Sequence, residues 1–442
     1  LAPPMTHALI TDYETAVGFL DARIGQGVKP GLERMVGALD LMTDPQDSFP
    51  IIHVAGTNGK TTVVRMVGDL LRAHGLRVGT FVSPHLHAVE ERYSIDGHTF
   101  GPEDFVGAVA DVAPFVEIFE EQTGQTVTYF ELTAAIAFQA FAAAGVDVAV
   151  VEVGLGGRWD ATNVVTADVS VITGIAMDHM SYLGDSIGQI AGEKAAILKP
   201  DGTLVTGPLP AAAEGAITAQ VANTNSKWLR FGDAFSVGED VLAVGGWSFT
   251  VHGLYRDYAE IFLSLHGRHQ VDHFATAVAV AEQFFGRELD PEAVRLAAAA
   301  MTSPGRIEVL QRNPLVVADG SHNEQGIDGL ATTLLDEFPP QDWVLVVGMK
   351  GERNVADLLS PLEGVVAEVI ATEANDPTSI PATDVAAAAR AVLGSDVPVE
   401  VVVPVQQAIT EALDRVDDTG AIVIAGSLYV VGEARPRFTQ SN

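Results

Sequence analysis

The stretch that decides the fold reads His53-Val-Ala-Gly-Thr-Asn-Gly-Lys-Thr-Thr62. An apolar run ends in Gly-Thr-Asn-Gly-Lys-Thr, a sequence suited to holding the phosphates of a nucleotide, and this points to ATP chemistry. Gly56 and Gly59 let the backbone of the Thr57-Asn58 loop turn tightly and expose its amides to phosphate oxygens. Lys60 adds a point charge, and the Thr61 hydroxyl can reach Mg²⁺. The helix that follows directs its positive end at the same place. A standard phosphate loop has a glycine five residues before its second glycine, but Val54 stands there, so this is a shortened variant.

The flanks agree with that reading. Residues 51–55 form an apolar run expected to be a buried parallel strand. Val63, Val64, Met66, Val67, Leu70 and Leu71 then recur at helical spacing until Gly75 ends the run. Further apolar runs at 77–82, 146–153 and 169–173 alternate with helical patterns, which predicts an α/β fold with a mostly parallel sheet covered on both faces. Ligands bind such sheets at the carboxyl ends of the strands. Those ends carry the phosphate loop, Ser83-Pro-His-Leu86, Gly154-Leu-Gly-Gly-Arg-Trp-Asp160 and Gly174-Ile-Ala-Met-Asp-His179, so four polar clusters converge on one rim.

Downstream, 201–266 reads as a small β-rich segment, and helices are expected over 271–285 and 291–301. Pro304-Gly305 marks a hinge. Strands at 315–318, 343–347, 366–371, 399–403 and 421–425 describe a second, nucleotide-fold-like α/β domain. The expected division is therefore 1–302 and 303–442, as suits a chain of 442 residues.

Composition excludes several classes. A net charge of −33 argues against nucleic acid or an anionic membrane as partner. With no cysteine, disulfides and thiolate metal sites are ruled out, and the cytoplasm is the expected compartment. The apolar stretch 132–145 is too short to span a bilayer. Leu1-Ala-Pro-Pro-Met5 has no basic region followed by an apolar core, so no secretion signal is expected.

Glu152 at the end of its strand, His179 just past the next and Ser83 on a third edge form a candidate hard-metal site for Mg²⁺. An acid directly after Val148-Ala-Val-Val151 would otherwise be half-buried and unpaired, which is costly. Lys194, among small and apolar residues in Ile190-Ala-Gly-Glu-Lys194, is either snorkelling or functional. Partly buried, its neutral amine could take up CO₂ as a carbamate with oxygens for a second Mg²⁺.

In order, Gly56-Thr-Asn-Gly-Lys60, Ser83-Pro-His-Leu86, Glu152-Val-Gly-Leu-Gly-Gly-Arg-Trp-Asp-Ala-Thr-Asn163, Asp178-His179, Ile190-Ala-Gly-Glu-Lys194, Pro304-Gly-Arg306, Asp319-Gly-Ser-His-Asn323 and Gly426-Ser-Leu-Tyr429 resemble the folylpolyglutamate synthase and dihydrofolate synthase branch of the Mur ligase superfamily. The resemblance runs from about residue 12 to 433. It implies a Mur-ligase-like P-loop ATPase domain followed by a smaller Rossmann-like domain, with ATP enclosed between them. It also implies ATP contacts from Gly56, Thr57, Asn58, Gly59, Lys60, Thr61, His273, Arg306 and Asp319. Metal ions would be held by Ser83, Glu152, His179 and a carbamylated Lys194, with Lys60, Glu152, His179 and Lys194 catalytic. Thr128-Tyr129-Phe130-Glu131 and Trp159-Asp160-Ala161 fall where the family binds its pterin-bearing substrate. The pattern is departed from at His273, where Asn is usual, at Ser321, and at Arg353-Asn354, where Lys-Asp is common.

The expected activity is ligation of L-glutamate to tetrahydrofolate (poly)glutamates and to dihydropteroate by way of an acyl phosphate. The expected partners are these small molecules alone, in a monomer. Two rivals are a Mur-type ligase acting on a cell-wall precursor and a nucleotide-gated binding module that performs no ligation. The first needs an N-terminal domain for a uridine nucleotide, and only about fifty residues precede the phosphate loop.

Overall fold

A computed structural model of the protein describes residues 9–25, 27, 29–339, 341–351 and 353–439; the Leu1–Met5 segment lies outside them. The chain forms two compact units. One takes in the described residues up to Glu239 with Thr250–Ile261 and Asp272–Ala298. The other takes in Asp240–Phe249, Phe262–Val271 and those from Ala299 onward.

The first unit is built on an eight-stranded sheet. Its strands are β1 (Ile51–Ala55), β2 (Val78–Phe81), β3 (Tyr93–Ile95), β4 (His98–Thr99), β5 (Val148–Glu152), β6 (Val169–Ile172), β7 (Thr203–Thr206) and β8 (Lys227–Arg230). Their spatial order is β4-β3-β2-β5-β1-β6-β7-β8. β1 pairs in parallel with β5 and β6, and β2 with β5; only β3 and β4 run antiparallel. Every residue of β1 and β5 is buried, as mostly apolar runs suit strands covered on both faces, with His53 and Glu152 the polar exceptions. Register sets Val54 beside Glu152 and Ala55 beside Ile172, so the loops after β1, β5 and β6 leave the sheet next to one another.

Helix Lys60–Ala73 buries Val63, Val64, Met66, Val67, Leu70 and Leu71, the stripe read from the sequence. At roughly 1.5–3 kcal/mol per buried large apolar side chain, that stripe anchors the helix and with it the loop at its N-terminus. Helix Tyr129–Ala144 lies in the core against Phe81, Tyr93 and Phe105. No helix among the described residues is long and apolar enough to cross a membrane.

The expected β-rich segment 201–266 is resolved differently. Thr203–Thr206 and Lys227–Arg230 are parallel strands of the main sheet, joined by helix Ala211–Asn223. That helix buries only Ala213 and Ile217 and is otherwise mostly alanine and polar residues, which leaves little periodic signal. Only β9 (Ser236–Ala243), β10 (Gly246–His252) and β11 (Asp257–Leu263) form a separate small sheet.

The second unit carries a six-stranded sheet of β12 (Glu308–Arg312), β13 (Leu315–Ala318), β14 (Trp343–Val347), β15 (Val366–Ala371), β16 (Val399–Val401) and β17 (Ala421–Ala425), ordered β12-β13-β17-β14-β15-β16. The five expected strands are present and pair in parallel. β12 was not expected. It is a half-exposed antiparallel edge strand, Glu-Val-Leu-Gln-Arg, without a continuous apolar run.

Candidate active site

Gly59 opens helix Lys60–Ala73 from a left-handed conformation, φ 78°, with no side chain to cap it. The first-turn amides, which have no acceptor within any α-helix, are thus aimed at the loop's concave side. A Cβ on Gly59 would stand 2.2 Å from Nε2 of His273, so a side chain there would have to displace that ring as well as adopt a left-handed backbone. The loop is braced from the turn after β6. The Thr57 amide donates to Gly174 O at 2.9 Å, Ala176 N donates to the Thr57 hydroxyl at 3.0 Å, and the Thr173 hydroxyl donates to Asn58 O at 2.6 Å. Lys60 Nζ folds back onto the carbonyls of Gly56 and Thr57 at 3.1 and 3.2 Å.

Glu152 is 1% exposed, yet its carboxylate is well served. The Thr61 hydroxyl donates to it at 2.9 Å and the Ser83 amide at 3.1 Å. Carboxylate and hydroxyl are hard oxygen donors, and their meeting at the helix N-terminus fits Mg²⁺ beside a triphosphate. Ser83 reaches Glu152 through its backbone N–H. His179 caps helix Met180–Leu183 in a left-handed conformation, φ 49°. Its amide donates to Asp178 Oδ1 at 2.8 Å, and its Nε2 lies 3.8 Å from Asp178 Oδ2. Asp178, read in the sequence only as part of a motif, is a further buried carboxylate on the rim. Among the described residues no three His, Asp or Glu side chains form a metal cage. Mg²⁺ commonly takes one or two carboxylates and completes its shell with phosphate and water.

Lys194, on helix Ile187–Ala195, is 4% exposed and donates to Gly56 O at 2.9 Å. Burial, and then the neighbouring Lys60 charge, push its ammonium down to about 7, against the pull of Asp178 and Asp160. A neutral amine is therefore accessible near neutral pH.

On the substrate side, Thr128 caps helix Tyr129–Ala144 in a reciprocal box with Glu131. The Thr128 amide donates to Glu131 Oε2 at 2.8 Å. Glu131 is also paired with Arg34, N···O 2.8 Å, both nearly buried. Arg34 was missed in the sequence; the signal was a buried acid that needs a cation. The Phe130 ring packs on the Gly154 backbone, and the Arg92 guanidinium lies over the Tyr129 ring at 5.5 Å. Gly157 faces helix Ile187–Ala195 so closely that a Cβ would stand 2.6 Å from Glu193 O, and this docks the glycine-rich turn against the helix bearing Lys194. Trp159 beyond it is 53% exposed, whereas Asp160 and Ala161 are buried.

In the second unit the Arg306 guanidinium lies over Gly320. Asp319 is held by the amides of Ile307 at 2.9 Å and Ser321 at 2.8 Å, and by the Ser321 hydroxyl. Arg306 and the Asp319 turn are thus adjacent.

Residues 54–281 match the Mur ligase middle domain and residues 305–428 the Mur ligase glutamate ligase domain. That pair of domains, with the phosphate loop opening the first, defines an ATP-dependent ligase of the Mur type. The chain is 40% identical to a Mycobacterium tuberculosis dihydrofolate synthase/folylpolyglutamate synthase over 93% of its length and 90% of the relative's. It is 31% identical to the Bacillus subtilis enzyme of the same name, over 97% and 100%. Its structure superposes on Mycobacterium tuberculosis folylpolyglutamate synthase complexed with ADP with a TM-score of 0.92 at 39% identity, covering 97% and 98% of the two chains. With a folylpolyglutamate synthase–AMPPCP–folate complex the TM-score is 0.86 at 32% identity, covering 97% and 100%. The chain belongs to the dihydrofolate synthase/folylpolyglutamate synthase family of Mur ligases.

Proposed function

We propose that this ligase joins L-glutamate to tetrahydrofolate (poly)glutamates and to dihydropteroate. The acceptor carboxylate attacks the γ-phosphorus of ATP, ADP departs, and an acyl phosphate forms. The glutamate amine then adds to that carbonyl, and the tetrahedral intermediate expels phosphate and loses a proton to leave the amide. In this reading, Lys60 leaves its loop carbonyls to hold the moving phosphoryl group, while the helix N-terminus and Gly56 to Thr61 orient the triphosphate. Mg²⁺, when bound, would screen the approach of two anions. Glu152, His179, Ser83 and Lys194 as its carbamate are assigned to hold it. Arg306, Asp319 and His273 are assigned to ATP. Thr128 to Glu131 and Trp159 to Ala161 are assigned to the pterin end, with Trp159 the stacking surface.

The observation that carries this reading is the convergence of Lys60 and Lys194 on the Gly56 carbonyl while Thr61 and Ser83 share Glu152. Two lysines on one loop carbonyl, with a buried acid bonded to the first turn of the helix that follows, suit a phosphate-transfer centre better than a passive loop. We assign residues 1–302 to ATP binding and 303–442 to glutamate ligation. We also assign the protein to the cytoplasm, as a monomer acting on small molecules without nucleic acid or membrane partners. Phosphate release from ATP, measured with glutamate and then with dihydropteroate or tetrahydrofolate, tests it. Release is expected only with all three substrates present; ATP consumption independent of glutamate and acceptor would instead identify a nucleotide-gated module.

A further inference from the structure

His53 is read from the sequence only as a residue of β1, three positions before the phosphate loop. Its side chain is fully buried, in the middle of an apolar strand. A buried imidazole needs a reason, because its polar atoms must be satisfied or their desolvation costs stability. Its Nε2 lies 2.7 Å from the hydroxyl of Thr162, itself 0% exposed. That hydroxyl is 2.5 Å from Asp160 Oδ1, and the Thr162 amide donates to the same oxygen at 3.0 Å. The other oxygen of Asp160 accepts from the Leu155 amide at 2.8 Å.

The chain of bonds has a direction. Thr162 has one hydroxyl proton, which goes to the carboxylate, so the hydroxyl accepts from His53 and the imidazole carries its proton on Nε2. Nδ1 is then a bare acceptor, and it is the atom that lacks a hydrogen-bond partner. An unmet lone pair is the cheaper vacancy, since orphaned buried N–H groups are the rarer kind. Burial, and then the Lys199 charge, hold the imidazole neutral.

We propose that His53 and Thr162 are positioning residues, which fix the Asp160 carboxylate and through it the backbone of the 154–160 turn against β1. The strand that ends in the phosphate loop then also sets where Trp159 stands. Acceptor and triphosphate are held in register by four side-chain and backbone groups in line rather than by contact of either ligand with His53. The inference rests on the reading of the 154–160 turn as part of the acceptor site.

The test is steady-state kinetics on Thr162→Val, which keeps shape and removes the hydroxyl, and on Thr162→Ser, which restores it. His53→Leu and His53→Gln form a second such pair. Loss of one buried hydrogen bond in the line is expected to raise KM for the acceptor about tenfold in Thr162→Val and His53→Leu. KM for ATP should be unchanged, and Thr162→Ser and His53→Gln should recover most of the loss. Hydrogen exchange gives a reading without turnover: amides of 154–160 should exchange faster in Thr162→Val while those of the phosphate loop do not. An unchanged acceptor KM with only a lowered melting temperature overturns the proposal, as does a parallel rise in KM for ATP. Trp159→Ala separates the two readings. If it leaves acceptor KM unchanged, the turn is not the acceptor site and both fall; if it raises KM while Thr162→Val does not, only the positioning role falls.

Discussion

The ammonium nitrogen of Lys194 lies 2.9 Å from the carbonyl oxygen of Gly56, the same oxygen that Lys60 Nζ approaches to 3.1 Å. Burial of Lys194, and then repulsion from the Lys60 charge on the same carbonyl, hold it near 7. An amine that is partly neutral at physiological pH and faces the phosphate loop is suited to become a carbamate.

Lys194→Ala is accordingly expected to fold and to be nearly inactive. Circular dichroism and phosphate release check this together. Turnover at the wild-type rate would remove the carbamate from the mechanism.

Glu152→Gln keeps the size of the side chain but withdraws the charge that Thr61 and Ser83 now share. Phosphate release should fall by about 10²–10³-fold, and the Mg²⁺ concentration for half-maximal rate should rise. A Mg²⁺ titration that superposes on the wild type contradicts the assignment.

Gly59→Ala places a side chain on a left-handed residue, at about 1–2 kcal/mol, and drives it into His273. KM for ATP should rise about tenfold or more. Adding His273→Ala should relieve the collision but leave the backbone cost and remove an assigned ATP contact, so the double variant should still bind ATP less well than the wild type, by less than the sum of the two single changes. Nucleotide titration calorimetry distinguishes the three.

Arg34→Met leaves Glu131 buried without its cation and is expected to cost about 3–5 kcal/mol in urea unfolding. Combined with Glu131→Gln, which still accepts from the Thr128 amide, the loss should be less than the sum of the two single changes. Strict additivity would mean that the pair contributes nothing as a pair.

Stability should also fall in acid through His53. Burial, and then Lys199, hold its folded value at about 3, against about 6.5 in the unfolded chain. Between those values the unfolded chain takes a proton that the folded one refuses. This contribution is fully present above about 6.5 and is lost as pH drops toward 3. His85, held at about 4 by burial and then by Arg92, adds to the same slope. Urea midpoints measured from pH 7 to 4 should decline less steeply in His53→Gln.

The phosphate loop, its strand and its helix were legible in ten consecutive residues and their flanks, because turn glycines, a capless helix start and an apolar run act locally. The parallel sheets were legible for the same reason, since a strand covered on both faces is mostly apolar along its length. Only the tertiary structure decided that β5 lies beside β1, because strand order in a sheet is not chain order. That placement lets Glu152 meet Thr61 across 91 positions of sequence. It also chose Arg34 for Glu131 and Thr162 for His53, partners 97 and 109 residues apart, and turned Asp160 inward to its own loop. A buried polar group announces in sequence that it needs a partner; which partner it finds depends on what the fold brings within three ångströms.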